Sequence, residues 1–188
     1  GRQEVKSLLD GAREDYSAVV DELVPDLLSI GEVQKVLQNL LREGVPIRNM
    51  VTILETLADT ATITRDPDYL TEYVREALKR QVSQMYLEKN VLTVLTLAPQ
   101  WEEAIESGME YTERGLSIAL DPRLLQDLFQ AIGQALEEHV LPYPIVLTSP
   151  QVRMALKRLT ERAMPRLIVL SYNEISADIQ VNAVGTVK

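Results

Sequence analysis

Cysteine is missing from all 188 residues, which removes disulfides, thiolate zinc sites and cysteine nucleophiles together and favours a cytoplasmic setting. Histidine occurs once, as His139. It ends a helical pattern beside Glu137 and Glu138, where no spacing supplies the partners of a catalytic triad or a zinc site, so it reads as structural or solvated. No G-x-x-x-x-G-K-[ST] or G-x-G-x-x-G pattern occurs, so nucleotide phosphates have no glycine-rich loop to cradle them. No apolar run approaches the roughly 20 residues that span a bilayer, and the start lacks the charged-then-apolar pattern of a signal peptide. The chain reads as soluble. It begins at Gly1 without a methionine, which reads as a piece of a longer protein whose remaining part holds the membrane anchor.

Positive charge is scarce as well: 19 Lys and Arg stand against 28 Asp and Glu, a net charge of -9. Nucleic-acid backbones are bound by clustered cations that release counterions, so nucleic acid is excluded as a partner. What is present is an ordinary globular composition. Hydrophobic residues make up 46% and charged residues 25%, enough apolar surface, well interleaved, to fold around a core. The length suits one domain or two small ones.

The first 82 residues read as helices. Leu8, Leu9, Ala12, Tyr16, Val19, Val20 and Leu23 recur at steps of three and four, the helical period. Arg13-Glu14-Asp15 is the expected break between two helices, and Pro25 ends the pattern. Ser29 and Glu32 stand at capping-box spacing, ahead of a stripe of Val33, Val36, Leu37, Leu40 and Leu41 that Gly44 should stop in the left-handed conformation. The next helix is expected to begin at Pro46, with Ile47, Met50, Val51, Leu54, Leu57 and Ala58 on its buried stripe. Asp66-Pro67 then places an N-cap before a proline at the first helical position, followed by Leu70, Tyr73, Val74, Ala77, Leu78 and Val82.

After residue 82 the pattern alternates. Residues 91–97, VLTVLTL, are β-branched and end near Pro99, as a strand does. A short helix around 101–107, a strand over 116–120 and a longer helix carrying Leu124, Leu128, Phe129, Ile132 and Leu136 follow. A short strand at 145–147 precedes a helix that Ser149-Pro150 should start and that should run to about Ala163. Strands over 167–170 and 179–187 complete the series, the last interrupted near Gly185. The expected class is α+β: an all-helical subdomain, 1–82, packed on an α/β subdomain, 83–188, with a mixed, partly parallel sheet. The junction over 81–90 contains neither Gly nor Pro and reads as stiff.

Charge is unevenly distributed. Residues 99–138 carry nine carboxylates, among them Glu102, Glu103 and Glu106, against Arg114 and Arg123, whereas residues 149–166 carry five cations, among them Arg153, Lys157 and Arg162, against Glu161. One reading is internal neutralisation. The other is a head-to-tail contact between copies, which needs two different complementary patches; Arg153 and Lys157, one helical turn apart, would then share its face. Arg42, Arg48 and Glu55, opposite the apolar stripes of their helices, are further candidates for contacts. The three acids on one turn, Glu102, Glu103 and Glu106, otherwise read as a solvated face and not as an acid–base pair.

The block from Ser29 to Val82, with its order of helix, Gly-Val-Pro turn, Ile-Arg-Asn, second helix, Asp-Pro start and third helix, resembles the flagellar type III export-gate family, FHIPEP, and its injectisome counterpart. The LDP of 120–122, the PIVLTSPQVR of 144–153, the PRLIVLSYNEI of 165–175 and the terminal IQVNAVGTV resemble the same family in the same order. GEVQKVLQNLLREGVPIR and SYNEI favour the flagellar branch. The resemblance implies the last two subdomains of a cytoplasmic region, at the cytoplasmic face of the bacterial inner membrane and tied to it only through a missing N-terminal part. It implies a nonameric ring that receives substrate–chaperone complexes, the ATPase-complex stalk protein and the specificity-switch protein. The best-known chaperone groove of the family lies in earlier subdomains, so no chaperone-binding residue is carried over. No catalytic, metal or cofactor role is expected; the alternatives are a small α/β enzyme with an unrecognised site, or a generic protein-binding adaptor.

Overall fold

Local signals act as punctuation in the structure, a computed structural model that describes residues 1–188. Helix α1 spans Arg2–Glu22 and kinks at Tyr16 (φ -134°, ψ 46°), immediately after the Arg13-Glu14-Asp15 cluster, and a single π-helical turn over Leu23–Leu27 follows it. Ser29 opens α2, Ile30–Arg42, with both halves of the capping box: its hydroxyl accepts from the Glu32 N–H at 3.1 Å, and its own N–H donates to Glu32 Oε1 at 2.8 Å. At the other end Gly44 has φ 76°. There the Val45 N–H donates to the Leu40 carbonyl at 2.9 Å and the Gly44 N–H to that of Leu41 at 3.0 Å, satisfying two carbonyls that the helix would leave bare.

Helix α3 spans Met50–Thr60, with the Asn49 side chain accepting from the Thr52 N–H. It therefore begins later than Pro46 suggested. Proline fixes its own φ but supplies no side-chain acceptor for the first N–H groups, and Asn49 is the first residue that does. Asp66 caps α4, Pro67–Ala77, as its spacing predicted, accepting from the Asp68 N–H at 2.9 Å. Helices α2 and α3 both pack on α4, and α1 packs on α2 and α3. Leu28, Val33, Val36, Leu40, Ile53, Leu54, Leu57, Leu70 and Val74 are fully buried between them, each side chain contributing about 1.5–3 kcal/mol of transfer free energy.

The chain forms two compact units, one of Gly1–Leu78 with Tyr111–Leu116 and one of Lys79–Glu110 with Ser117–Lys188. The second begins with the short helix α5, Lys79–Gln84, and continues through β1 (Val91–Leu97), α6 (Pro99–Ser107), β2 (Met109–Thr112), β3 (Gly115–Ile118), α7 (Pro122–Glu138), β4 (Ile145–Thr148), α8 (Arg153–Thr160), β5 (Ile168–Ser171) and β6 (Gln180–Val187). Its sheet has the order β5-β4-β1-β6, and all three pairings are parallel. The class is α+β, as expected, with a larger parallel share than the sequence suggested. Parallel neighbours need long crossovers, and α6 through α7 supply the one between β1 and β4. Strand β4 is buried at every position, as a strand covered on both faces must be.

Two further local expectations are corrected and a third is borne out. Residues 116–120 do not join the large sheet: β3 pairs only with β2, a strand of four residues, MEYT, too short for its alternation to stand out in sequence. Ser149 does not cap α8, which starts at Arg153 with Val152 as its uncapped N-cap, because residues 149–152 form a turn instead. The interruption near Gly185 is a bulge: Val94 is opposite Ala183 and Leu95 opposite Gly185, so Val184 is the extra residue.

Candidate functional site

Two of the expected contact residues lie inside the fold. Arg153 is 0% exposed and Lys157 8%, so neither presents a face to a neighbouring copy. Arg153 donates from one guanidinium nitrogen to the Val169 carbonyl at 3.1 Å, and its Nε stands 3.5 Å from Glu174 Oε2. Glu174 accepts the Ser171 N–H at 3.0 Å through its other oxygen. Lys157 donates to the carbonyls of Leu167 at 2.7 Å and Pro165 at 3.3 Å. The helical spacing that put Arg153 and Lys157 on one face was right, but that face packs on β5. Buried cations are tolerated only when hydrogen-bonded and paired, and these two tie α8 to β5 and to the turn after it.

The other expected contact residues are placed differently. Arg42, Arg48, Glu55, Glu103, Glu106 and Arg162 are exposed. Glu102 is half-buried and accepts the Ser149 N–H at 2.6 Å, which joins the acidic segment to the start of the basic one without an ion pair. His139 lines a cavity of about 540 Å³ together with Gln134, Glu138 and Thr186. Its Nδ1–H donates to the Ala135 carbonyl at 2.9 Å, and its ring lies against Gly185, where a Cβ would collide with it. The ring thus closes the end of α7 over the β6 bulge. No cluster of three or more His, Asp or Glu residues suits a metal ion.

The exposed surface of the helical unit holds a feature that sequence reading missed. The hairpin tip, Tyr111–Leu116, belongs to this unit, and Asp68 fastens it. Asp68 is 2% exposed; its Oδ1 accepts from the Asn39 amide at 2.9 Å and its Oδ2 from the Leu116 N–H at 2.8 Å. Gly115, at φ 104°, lets the backbone come this close, since a Cβ there would run into Asp68 Oδ2. Fixing the tip brings Tyr111 edge-on to Tyr69, with ring centroids 5.0 Å apart, and Tyr69 in turn lies 5.4 Å from Tyr73. Tyr69 and Tyr111 are each 37% exposed.

The field around these rings is negative. Burial, and then the carboxylates of Glu72 and Asp66, with Tyr69 and Asp68 adding smaller effects, push the Tyr111 phenol well above its ordinary range. A hydrogen bond with Tyr69, followed by burial and the Glu76 charge, also raises Tyr73. A tyrosine face beside carboxylates attracts cations and repels anions. Sequence gave one usable sign of this face, the i, i+4 spacing of Tyr69 and Tyr73; Tyr111 is too distant in sequence to be linked to them.

The FHIPEP family matches residues 1–180. This chain belongs to the FHIPEP family. Among FHIPEP relatives, the flagellar biosynthesis protein FlhA of Bacillus subtilis (strain 168) is 44% identical over 190 residues, which covers all of this chain and 28% of the relative. Chlamydia pneumoniae CdsV has the same fold at a TM-score of 0.92 and 29% identity, over 100% of this chain and 55% of that one. CdsV solved in complex with CdsO gives 0.88 and 28%, over 99% and 55%. The nonameric EPEC SctV-C, determined by cryo-EM, gives 0.85 and 30%, over 99% and 56%. No helix of this FHIPEP chain is long and apolar enough to cross a membrane.

Proposed function

We propose that this chain is a non-enzymatic scaffold and docking platform of the flagellar type III export gate, taking part in ring assembly and in the export of flagellar proteins. The observation that carries the reading is the likeness over the whole chain, in sequence to flagellar FlhA and in fold to SctV-C, which is a nonamer. The helical part, 1–82, and the α/β part, 83–188, act as two subdomains of a cytoplasmic region that a preceding part of the protein anchors at the inner membrane. Arg42, Arg48, Glu103, Glu106 and Arg162, all exposed, are the residues assigned to contacts between copies or with partners. Arg153, Lys157 and Glu174 are instead assigned to holding the α/β part rigid. CdsV has been solved in complex with a second protein, CdsO, which supports binding of export-apparatus partners; the proposed partners are the stalk protein of the ATPase complex, substrate–chaperone complexes and the specificity-switch protein.

A chimera tests this reading. The corresponding C-terminal region of Bacillus subtilis FlhA is replaced by these 188 residues, and swimming and the secretion of flagellar proteins are measured in a strain lacking its own gate. Restored export is expected at 44% identity. A chimera that accumulates in the membrane normally yet exports no better than the deletion strain overturns the assignment.

A further inference from the structure

We infer that Tyr69, Tyr73 and Tyr111 form a docking face for a positively charged, arginine-bearing segment of a protein partner. This goes beyond the export-gate reading and stands on the geometry of the helical unit alone. The face combines three features that are otherwise scattered along the chain. Two of its tyrosines are 37% exposed and edge-packed on one another, so that part of each stays open to solvent, and tyrosine is a residue type enriched at protein interfaces. It is rigid: two rings stand on successive turns of α4, and the third is held by the Asp68 contact with the hairpin tip, so little ordering remains to be done on binding. And its charge selects the occupant. Glu72, Asp66 and Asp68 act on the Tyr111 phenol and Glu76 on that of Tyr73, and Glu113 is exposed on the hairpin tip.

The cations of these elements offset that field only in part. Arg65 is 2.8 Å from Glu32, Arg75 is buried 3.8 Å from Glu43, and Arg114 alone is exposed on the tip. A guanidinium stacks on a tyrosine face while its N–H groups reach a flanking carboxylate, a pairing that Lys makes less well because its ammonium is a point charge without a plane. An acidic or phosphorylated segment would be repelled.

The experiment uses the 188-residue chain and a blocked hexa-arginine peptide as probe, with hexalysine and hexaglutamate peptides for comparison, followed by amide NMR and by calorimetry at about 50 mM salt. Binding is expected to shift the amides of 69–76 and 111–116, to favour hexa-arginine over hexalysine, and to be absent for hexaglutamate. The double substitution Tyr69→Leu with Tyr111→Leu leaves the net charge unchanged and should weaken hexa-arginine binding by about five-fold or more, whereas Tyr69→Phe, which keeps the ring, should leave it within about two-fold. If the double variant fails to fold by circular dichroism, Glu72→Gln with Glu76→Gln takes its place and should weaken binding and flatten its salt dependence. Unchanged affinity in the folded variant, or shifts spread over other acidic segments such as 102–106, would mean that the peptide follows the net charge of the chain and not this face, and overturns the inference.

Discussion

At the scale of single residues, Arg153 shows why a charge cannot be assigned to the surface by its type. Its guanidinium is fully buried between the Val169 carbonyl and the carboxylate of Glu174, which is itself 1% exposed. Removing one partner strands the other, and a stranded buried charge costs about 3–5 kcal/mol. Arg153→Ala is therefore expected to lower the urea midpoint by an amount equivalent to that loss. Arg153→Met combined with Glu174→Gln should recover a substantial part of it, as a double-mutant cycle would register. Additive losses in the double variant would show that the two side chains act independently. Residues 149–166, which include the arginine, read in sequence as a basic segment, and only packing of α8 on β5 reveals its orientation.

At the scale of elements, the start of α2 is the best-defined case. Removing the Ser29 hydroxyl costs about 1 kcal/mol, and Glu32 adds a pH dependence of known sign. Partial burial raises the Glu32 pKa, but the Arg65 hydrogen bond, the Ser29 N–H and the Arg65 charge outweigh it and hold the carboxyl below its usual range. A carboxyl lowered in this way stabilises the fold above its unfolded value of about 4.3. That contribution is lost as pH falls through the folded value. Urea unfolding of Glu32→Ala should show a deficit of about 0.5–1 kcal/mol at neutral pH. The deficit should disappear well below pH 4, and one that persists there would point to lost packing. The exposed Arg65 pair adds little, since solvent screens it.

The elements also divide by how much of them could be read. Ser29, Gly44 and Asp66-Pro67 mark boundaries through their own backbone chemistry, as the VLTVLTL strand does through β-branching, so each was legible. The strand Met109–Thr112 was not, because it is four residues long with none of them buried, and its pairing with β3 is fixed partly by Asp68, some 40 residues away in sequence. Likewise α3 begins at an Asn49 cap and not at Pro46, because the competition between two nearby starts is decided by which side chain reaches an N–H.

At the scale of the whole molecule, the proposed association rests on exposed charges. Arg42, Arg48 and Arg162 are exposed, as are Glu103 and Glu106, in a chain of net charge -9. Steering by such groups is strongest at low salt and fades within a Debye length of about 8–10 Å near physiological salt. Replacing Arg48 and Arg162 by Glu in the Bacillus chimera is expected to weaken assembly by about five-fold or more in sedimentation of the detergent-solubilised protein, with a smaller effect as salt is raised. Equal assembly by the variant and the parent at every salt concentration would remove these residues from the interface.

The sequence by itself determined the α+β class, most element positions, the caps and stops of α2 and α4, and membership of the FHIPEP family, because propensity, capping and motif order are carried by residues close together in the chain. Only the tertiary structure decided which charges are interior and which surfaces are open. Arg153 and Lys157 turned inward because α8 lays that face on β5, and Tyr111 joined Tyr69 and Tyr73 because Asp68 binds the hairpin tip. Both outcomes depend on contacts between distant segments, whose partners no local pattern specifies.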